Sequence, residues 1–378
     1  MQNKIFLSGL SFLLFMVLLR VGVTLAELKP LWNDELYSQV FGIEKLSYGQ
    51  ILAGAIPEGN NCPLFYVLQK VVCDVTGYHF PQVWKGEWNV SEPNGQFILR
   101  LMPNLFMSLA VAAIFYFFSV GYSPWAGIYA FFTAMSSVMV WVYWVEARPY
   151  ALWFFLTVLQ CLFYLQFSRQ KIKNEQHWVW LGITNLLLSL AVVFGVVQVL
   201  IVSILLYMFH EKELTKYFFS AILPLGIGSF YYFHSPKYNF ILPRDWASLI
   251  FDNVPLEWLL IVSGFGVAAA LGFFSGQKEK AGVNFGIFTG ATLTAVLALI
   301  GILGFKYNPH HESFEISSRY FVFLAAVGTV GVSLFSIVLF RHFAQSRWMK
   351  LNLAVVLGGL LLLRLIRTYA QVTALGVY

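Results

Sequence analysis

Apolar runs of membrane-spanning length recur from one end of this chain to the other, and they constrain its fold more than any other feature. Runs able to cross about 30 Å of hydrocarbon fall near 5–26, 97–119, 124–142, 149–167, 178–194, 195–209, 217–233, 256–275, 282–305, 319–340 and 350–366. Of the 378 residues, 59% are hydrophobic and only 11% are charged. A soluble core of that size could not hide so much apolar surface. The expected class is an all-α polytopic membrane protein with about eleven transmembrane helices, because helices satisfy their own backbone within lipid.

Charge sets the expected orientation. The stretch 178–209 reads as two short helices divided at Gly195 or as one very long helix. With the division, the short loops carrying Arg169, Lys171 and Lys173, then Lys212 and Lys216, Lys278 and Lys280, and Arg341 and Arg347 all fall on the cytoplasmic side, as the positive-inside rule asks. Merging the two would place three basic loops outside. The N-terminus is therefore expected in the cytoplasm, with Ile5 to Ala26 a retained signal-anchor. The segments 27–96, 143–148, 234–255, 306–318 and the tail after Leu365 then lie outside. Within the first of these, 36–56 is amphipathic and 63–76 is apolar but too short to span, so both read as juxtamembrane helices. No polar stretch is long enough for a soluble domain, so residues 1–378 form one integral membrane unit, with 27–96 its first outer loop. No internal repeat is apparent. The net charge of +6 belongs to the topology-fixing loops, and no basic stripe points to nucleic acid.

Against this greasy background Asp34-Glu35 stands out, just beyond the first run. Carboxylates close to a membrane are costly and usually have a partner or a task. The outer face also collects Glu58, Asn61, Arg100, Glu146, Arg148, His310, His311, Arg319, Arg364 and Arg367. The arginines near span ends have two readings. They could snorkel or pair with acids, or they could hold a phosphate in fork geometry while carboxylates act as general bases. Cys62 and Cys73 share the outer loop; two free thiols or one bridge fit the spacing, while Cys161 reads as packing. His310-His311-Glu312 offers metal ligands, but adjacent histidines diverge, so no cofactor is expected with certainty and a divalent ion is left open.

Glu146-Ala-Arg148-Pro-Tyr150, opening a membrane helix, resembles a signature of the GT-C polyprenyl-phosphate-sugar glycosyltransferases. That group includes protein O-mannosyltransferase and lipid A aminoarabinose transferase relatives, among them short bacterial members. Asp34-Glu35 after the first helix is similar to the family's acidic motif. Asn61-Cys-Pro-Leu-Phe-Tyr66 is similar to its His-Pro-Pro-Leu-Tyr-Tyr segment. Arg100-Leu-Met-Pro103 resembles its Arg-Leu-Pro helix start, and Arg319-Tyr320 resembles a late recurring arginine. The ordered set covers residues 25–170. Two positions depart from the pattern: Asn60-Asn61 replaces a His or Glu-Lys, and Gln96 replaces an acid four residues before Arg100.

The resemblance implies transfer of a sugar from a polyprenyl-phosphate donor to an acceptor hydroxyl on the outer face of a bacterial inner membrane. The acceptor would be a protein, lipid or glycan. Asp34 would be the base for an inverting attack, with Glu35 and Glu146 beside it in the catalytic set. Glu146 would orient the acceptor, hold Arg148 or ligate a divalent ion. Arg148, Arg319, Arg364 and Arg367 would stabilise the departing phosphate, and Asn61, Arg100 and Tyr150 would complete the substrate site. A flippase or transporter of lipid-linked glycans is the alternative. It would favour charges at mid-membrane and repeat symmetry. A polymerase or ligase of lipid-linked glycans would rest on a large late loop, whereas the longest outer loop here is the first.

Overall fold

The computed structural model describes residues 2–58, 62–81, 85–86, 89–169, 175–209, 214–234, 243–244, 254–274, 276–302, 307–308, 313–315 and 322–374. Asn61, His310, His311 and Arg319 lie outside the described residues. The chain begins with α1 (Gln2–Leu28). It is followed by β1 (Leu31–Trp32), then α2 (Asn33–Tyr37), which runs into a π-helical stretch (Ser38–Glu44), then α3 (Tyr48–Leu52), α4 (Pro63–Thr76), β2 (Asn89–Val90) and α5 (Pro93–Leu99). The bundle continues through α6 (Leu101–Gly121), α7 (Pro124–Met135), α8 (Val138–Tyr143), α9 (Tyr150–Arg169), α10 (Glu175–Ala191) and α11 (Gly195–Phe209). Next come α12 (Leu214–Tyr217), a π-helical turn (Phe218–Ile222), α13 (Leu223–His234) and β3 (Pro243–Arg244). The chain closes with α14 (Leu256–Ala270), α15 (Gln277–Ile302), β4 (Tyr307–Asn308), β5 (Ser313–Glu315), α16 (Val322–Phe343) and α17 (Arg347–Ala374).

Five described helices, α1, α6, α9, α16 and α17, are long and apolar enough to cross a membrane. They do not share one environment. The most apolar window of α16 is 83% buried by protein and that of α17 only 11%, so α16 is a core post and α17 a peripheral one with its apolar face outward. α6 packs on α1, α7 and α9, and α9 packs on α10, α15 and α16. Polar side chains stitch the interior. Trp153 Nε1 donates to Gln198 Oε1 (2.7 Å), and Gln198 Nε2 donates to Thr157 Oγ1 (3.1 Å). Gln160 Nε2 donates to Asn185 Oδ1 (2.8 Å), and Asn185 Nδ2 to the Ser220 carbonyl (2.6 Å). Each amide is buried and would cost free energy if left unpaired.

Several sequence expectations are corrected. The run 124–142 is not one helix. It breaks at Ser136-Ser137, where Ser137 is extended (φ −90°, ψ 122°) and the Ser136 carbonyl is satisfied from α17 instead of from its own helix. The run 97–119 kinks at Arg100, between α5 and α6. The amphipathic stretch 36–56 is two pieces, because Ser47 caps α3 in a box with Gln50 and so starts a new helix there. The tail expected after Leu365 is helical as far as Ala374, which puts Arg367 on α17. Segments between the long helices also contain short strands. β1 pairs antiparallel with β2, Leu31 opposite Val90, and β5 pairs with both β3 and β4. The division expected within 178–209 is present between α10 and α11. All three cysteines are free. Cys62 and Cys73 stand at the start and near the end of the same helix, α4, and eleven residues at about 1.5 Å each put them far beyond disulfide reach.

Candidate active site

The acidic pair occupies the first turn of α2. Glu35 is the third helical residue, from which a glutamate can reach back to the residue before the helix, and its Oε2 accepts from the Trp32 backbone N–H at 3.1 Å. The carboxylate is also gripped from two other elements. Arg100 donates through Nε to Oε1 (2.9 Å) and through Nη2 to Oε2 (2.6 Å), and the Ala147 N–H donates to Oε1 (2.7 Å). Arg100 gives its remaining N–H groups to the carbonyls of Ala26 (3.1 Å), Lys29 and Pro30 (2.7 Å). A guanidinium has five N–H donors, and here each has an acceptor. Both side chains of the pair are wholly buried. Burial pushes the Glu35 carboxyl up, but Arg100 outweighs it and the net pKa is lowered, so Glu35 is ionised.

This arrangement changes two expected roles. Arg100 has no N–H left for a substrate, and all four Glu35 contacts are internal. Together they lock the end of α1, the start of α2, the α5–α6 kink and the segment before α9 into one piece. Gln96 belongs to the same lock. Its Nε2 donates to the carbonyls of Lys29 (2.7 Å), Glu27 (3.2 Å) and Ala26 (3.4 Å). An ionised carboxylate, having no donor, could make none of these bonds, which gives the departure at Gln96 a physical reason.

A second knot surrounds Arg148. Its Nη1 pairs with Glu58 and donates to Ser38 Oγ (2.7 Å) and the Asp34 carbonyl (3.2 Å). Ser38 Oγ also bonds Glu58 and the Asp34 carbonyl (2.9 Å). Burial disfavours the Arg148 charge, and Glu58 more than restores it. The opposite edge is much less engaged: Nη2 has only Tyr150 Oη at 3.5 Å, and buried Nε has no partner among the described residues. The Tyr150 ring packs tilted by 51° against that of Tyr143, with centres 4.7 Å apart. Burial, then Glu58, raises the Tyr66 hydroxyl well above its ordinary value, so it remains protonated beside the pair. The knot needed Glu58, which the sequence placed outside without a task, and Ser38, which carried no signal at all.

Glu146 contrasts with both knots. It is 3% exposed, yet its Oε1 has no hydrogen-bond partner among the described residues. Burial is the largest influence and raises its pKa; Lys29 opposes this, Glu35 adds to it, Arg148 opposes and Asp34 adds. The result is about 7. A carboxyl at that value exchanges protons near neutrality. Glu58 holds Arg148, so Glu146 is not the residue that does so. Asp34 is half-buried, with its carbonyl fixed by Arg148 and Ser38 and its side chain in the turn that Glu35 anchors.

The backbone carrying Glu146 is itself held. Asn104 on α6 donates to the Leu19 carbonyl of α1 (3.0 Å) and accepts from Trp144 Nε1 (3.0 Å). Arg364 and Arg367, both on α17, are engaged elsewhere. Arg364 is buried, and its Nε donates to the Ser136 carbonyl (3.0 Å) beside the Thr368 hydroxyl (2.6 Å), which closes the α7–α8 break. Arg367 lies 2.6 Å from Glu257 on α14 and is half exposed, although neither Glu257 oxygen receives an aligned hydrogen bond. Among the described residues no three His, Cys, Asp or Glu side chains converge as a metal set.

The bundle can be compared with solved structures. ArnT from Cupriavidus metallidurans, crystallised in the apo state, matches with a TM-score of 0.56 over 98% of this chain and 76% of that one, at 12% sequence identity. This chain shares the fold of that protein. ArnT bound to undecaprenyl phosphate matches equally well, with a TM-score of 0.56 at 11% identity over the same shares of each chain. No protein-family model and no curated protein matches the sequence.

Proposed function

We propose that this chain is a membrane glycosyltransferase that moves a sugar from a polyprenyl-phosphate donor to an acceptor hydroxyl on the outer face of a bacterial inner membrane. In this reading the eleven apolar segments cross the bilayer with the N-terminus in the cytoplasm. The supporting observation is the placement of Asp34. Half-buried Asp34 lies on a locked turn, its carbonyl held by Arg148 and its charge felt by a near-neutral Glu146, within the fold of a protein crystallised with undecaprenyl phosphate.

Asp34 takes the proton of the acceptor hydroxyl as its oxygen attacks the anomeric carbon. The bond from that carbon to the phosphate oxygen breaks, its electron pair leaves with the phosphate, and the configuration inverts. Arg148 offers Nε and Nη2 to the charge that grows on the leaving group, with Tyr150 shaping that edge and Asn61 and Arg319 as further candidates. Glu146 orients the acceptor and shares the proton load with Asp34. Glu35 and Arg100 hold the geometry without touching substrate.

The test supplies purified protein with labelled polyprenyl-phosphate sugars and a membrane extract as acceptor. Asp34→Asn is expected to lose about 10²–10⁴-fold in transfer, the range for a general base, while melting like the wild type. Equal transfer by the two proteins would remove Asp34 from the chemistry. No transfer with any donor would favour a lipid-linked glycan transporter.

A further inference from the structure

A helix that meets lipid along most of its length gains little by packing apolar side chains on its neighbours, because lipid tails are equally apolar. α17 is such a helix. Of its 28 residues only Leu357, Arg364 and Thr368 are buried. Two of those three are polar, stand about one helical turn apart and reach the same atom. Arg364 Nε donates to the Ser136 carbonyl at 3.0 Å and Thr368 Oγ1 at 2.6 Å, so both lone pairs of that oxygen are used. Arg367 lies 2.6 Å from Glu257 and ties the same stretch to α14. A buried arginine on a membrane-length helix is costly and calls for a task. The neighbouring carbonyls at the α7–α8 break need no help from α17. Ser136 Oγ donates to the Thr133 carbonyl (2.7 Å), and Trp141 Nε1 to that of Met135 (2.8 Å). Beyond the break, Trp144 Nε1 donates to Asn104 (3.0 Å) and the Ala147 N–H to Glu35 (2.7 Å). The segment that ends in Glu146 and Arg148 is thus fastened to α17 at its start, to α6 in its middle and to the α2 turn near its end.

We propose that Arg364 and Thr368 are positioning residues, which through the Ser136 carbonyl set where α8 delivers Glu146 and Arg148. This deepens the transferase reading and rests on it. A buried backbone carbonyl in an apolar setting has to be paired. Without its α17 donors the Ser136 carbonyl turns toward another partner, and extended Ser137 (φ −90°, ψ 122°) rotates with it. α8 is helical from Val138 to Tyr143, so it transmits a change at its first residue to its last. Arg364 and Thr368 act without touching substrate, and a displacement of about 1 Å that reaches reacting groups from a distance costs on the order of 10²-fold in rate.

The experiment combines amide hydrogen exchange with sugar transfer on the full-length protein in nanodiscs, for wild type, Arg364→Met, Thr368→Val and Thr368→Ser. Exchange in peptides covering 137–148 is expected to quicken about tenfold in Thr368→Val and more in Arg364→Met, while α6 and α9 keep their protection. Thr368→Ser keeps the hydroxyl and is expected to match the wild type. Transfer is expected to fall about tenfold in Thr368→Val and about 10²-fold in Arg364→Met, in kcat, with the KM for the lipid-linked donor within about threefold. Thr368→Val exchanges one hydroxyl for a methyl, so it decides the matter even where Arg364→Met does not fold. Unchanged exchange at 137–148 would overturn the proposal, because Asn104 and Glu35 would then hold the segment by themselves. Protection lost evenly across the bundle, or faster exchange with full transfer, would overturn it too. A wild type that transfers no sugar would instead remove the transferase reading, and with it the catalytic meaning of the fastening, whatever the exchange shows.

Discussion

Glu35 and Glu146 are both buried glutamates beside the same lock, and they have opposite surroundings. Glu35 accepts four N–H donors from three parts of the chain and lies below its ordinary pKa. Glu146 has an unpartnered oxygen and lies near 7. Saturated charge is structural here, because every bond that defines it is internal. Unsaturated charge is where a ligand or a proton can still be accommodated. By the same criterion the two arginines differ: Arg100 is used up, while Arg148 is used on one edge only.

The contrast can be broken most severely at the lock. Arg100→Ala leaves Glu35 ionised and buried without its partner, which costs about 3–5 kcal/mol. The expected result is loss of folded protein, or a large drop in melting temperature, together with all activity. A variant that melts like the wild type would show that Glu35 can be solvated and that the lock is not structural.

Glu146 supplies the next test. Its folded pKa of about 7 lies above the ordinary 4.5, so the folded state binds the proton more tightly. The associated stability is fully present below about pH 4.5 and is lost as pH rises through about 7, a swing on the order of 3 kcal/mol. Glu146→Gln cannot titrate. It should flatten this part of the pH–stability profile and melt higher than the wild type above pH 7. Parallel profiles for the two proteins would mean that Glu146 titrates alike in the folded and unfolded states.

The smallest expected effect concerns the scaffold that presents the site. A Cβ at Gly22 would overlap the Asn104 side chain, which bridges α1 and Trp144. Gly22→Val should cost about 1–3 kcal/mol by overpacking and reduce transfer by misplacing the Glu146 segment. Unchanged stability and activity would show that α1 can shift away from α6 without disturbing the site.

Much of this organisation was legible from residue order. Hydropathy alone located the five long apolar helices, and the division of 178–209 followed from loop charge. Asp34-Glu35 and Glu146-Ala-Arg148 were recognisable because charges are rare in such a chain. The break at Ser136-Ser137 was not legible, since its carbonyl is satisfied by Arg364 and Thr368, more than two hundred residues away. Nor were Ser38 and Asn104, whose residue types are ordinary and whose meaning comes from what they bond.

The sequence by itself determined a helical membrane protein and which side chains were too expensive to be idle. It did so because the cost of burying apolar or charged groups depends on composition and spacing along the chain. Tertiary structure alone decided which costly charges were already paired. That outcome depends on distances of a few ångströms between α1, α2, α6 and the segment before α9. One-dimensional spacing carries no record of those distances.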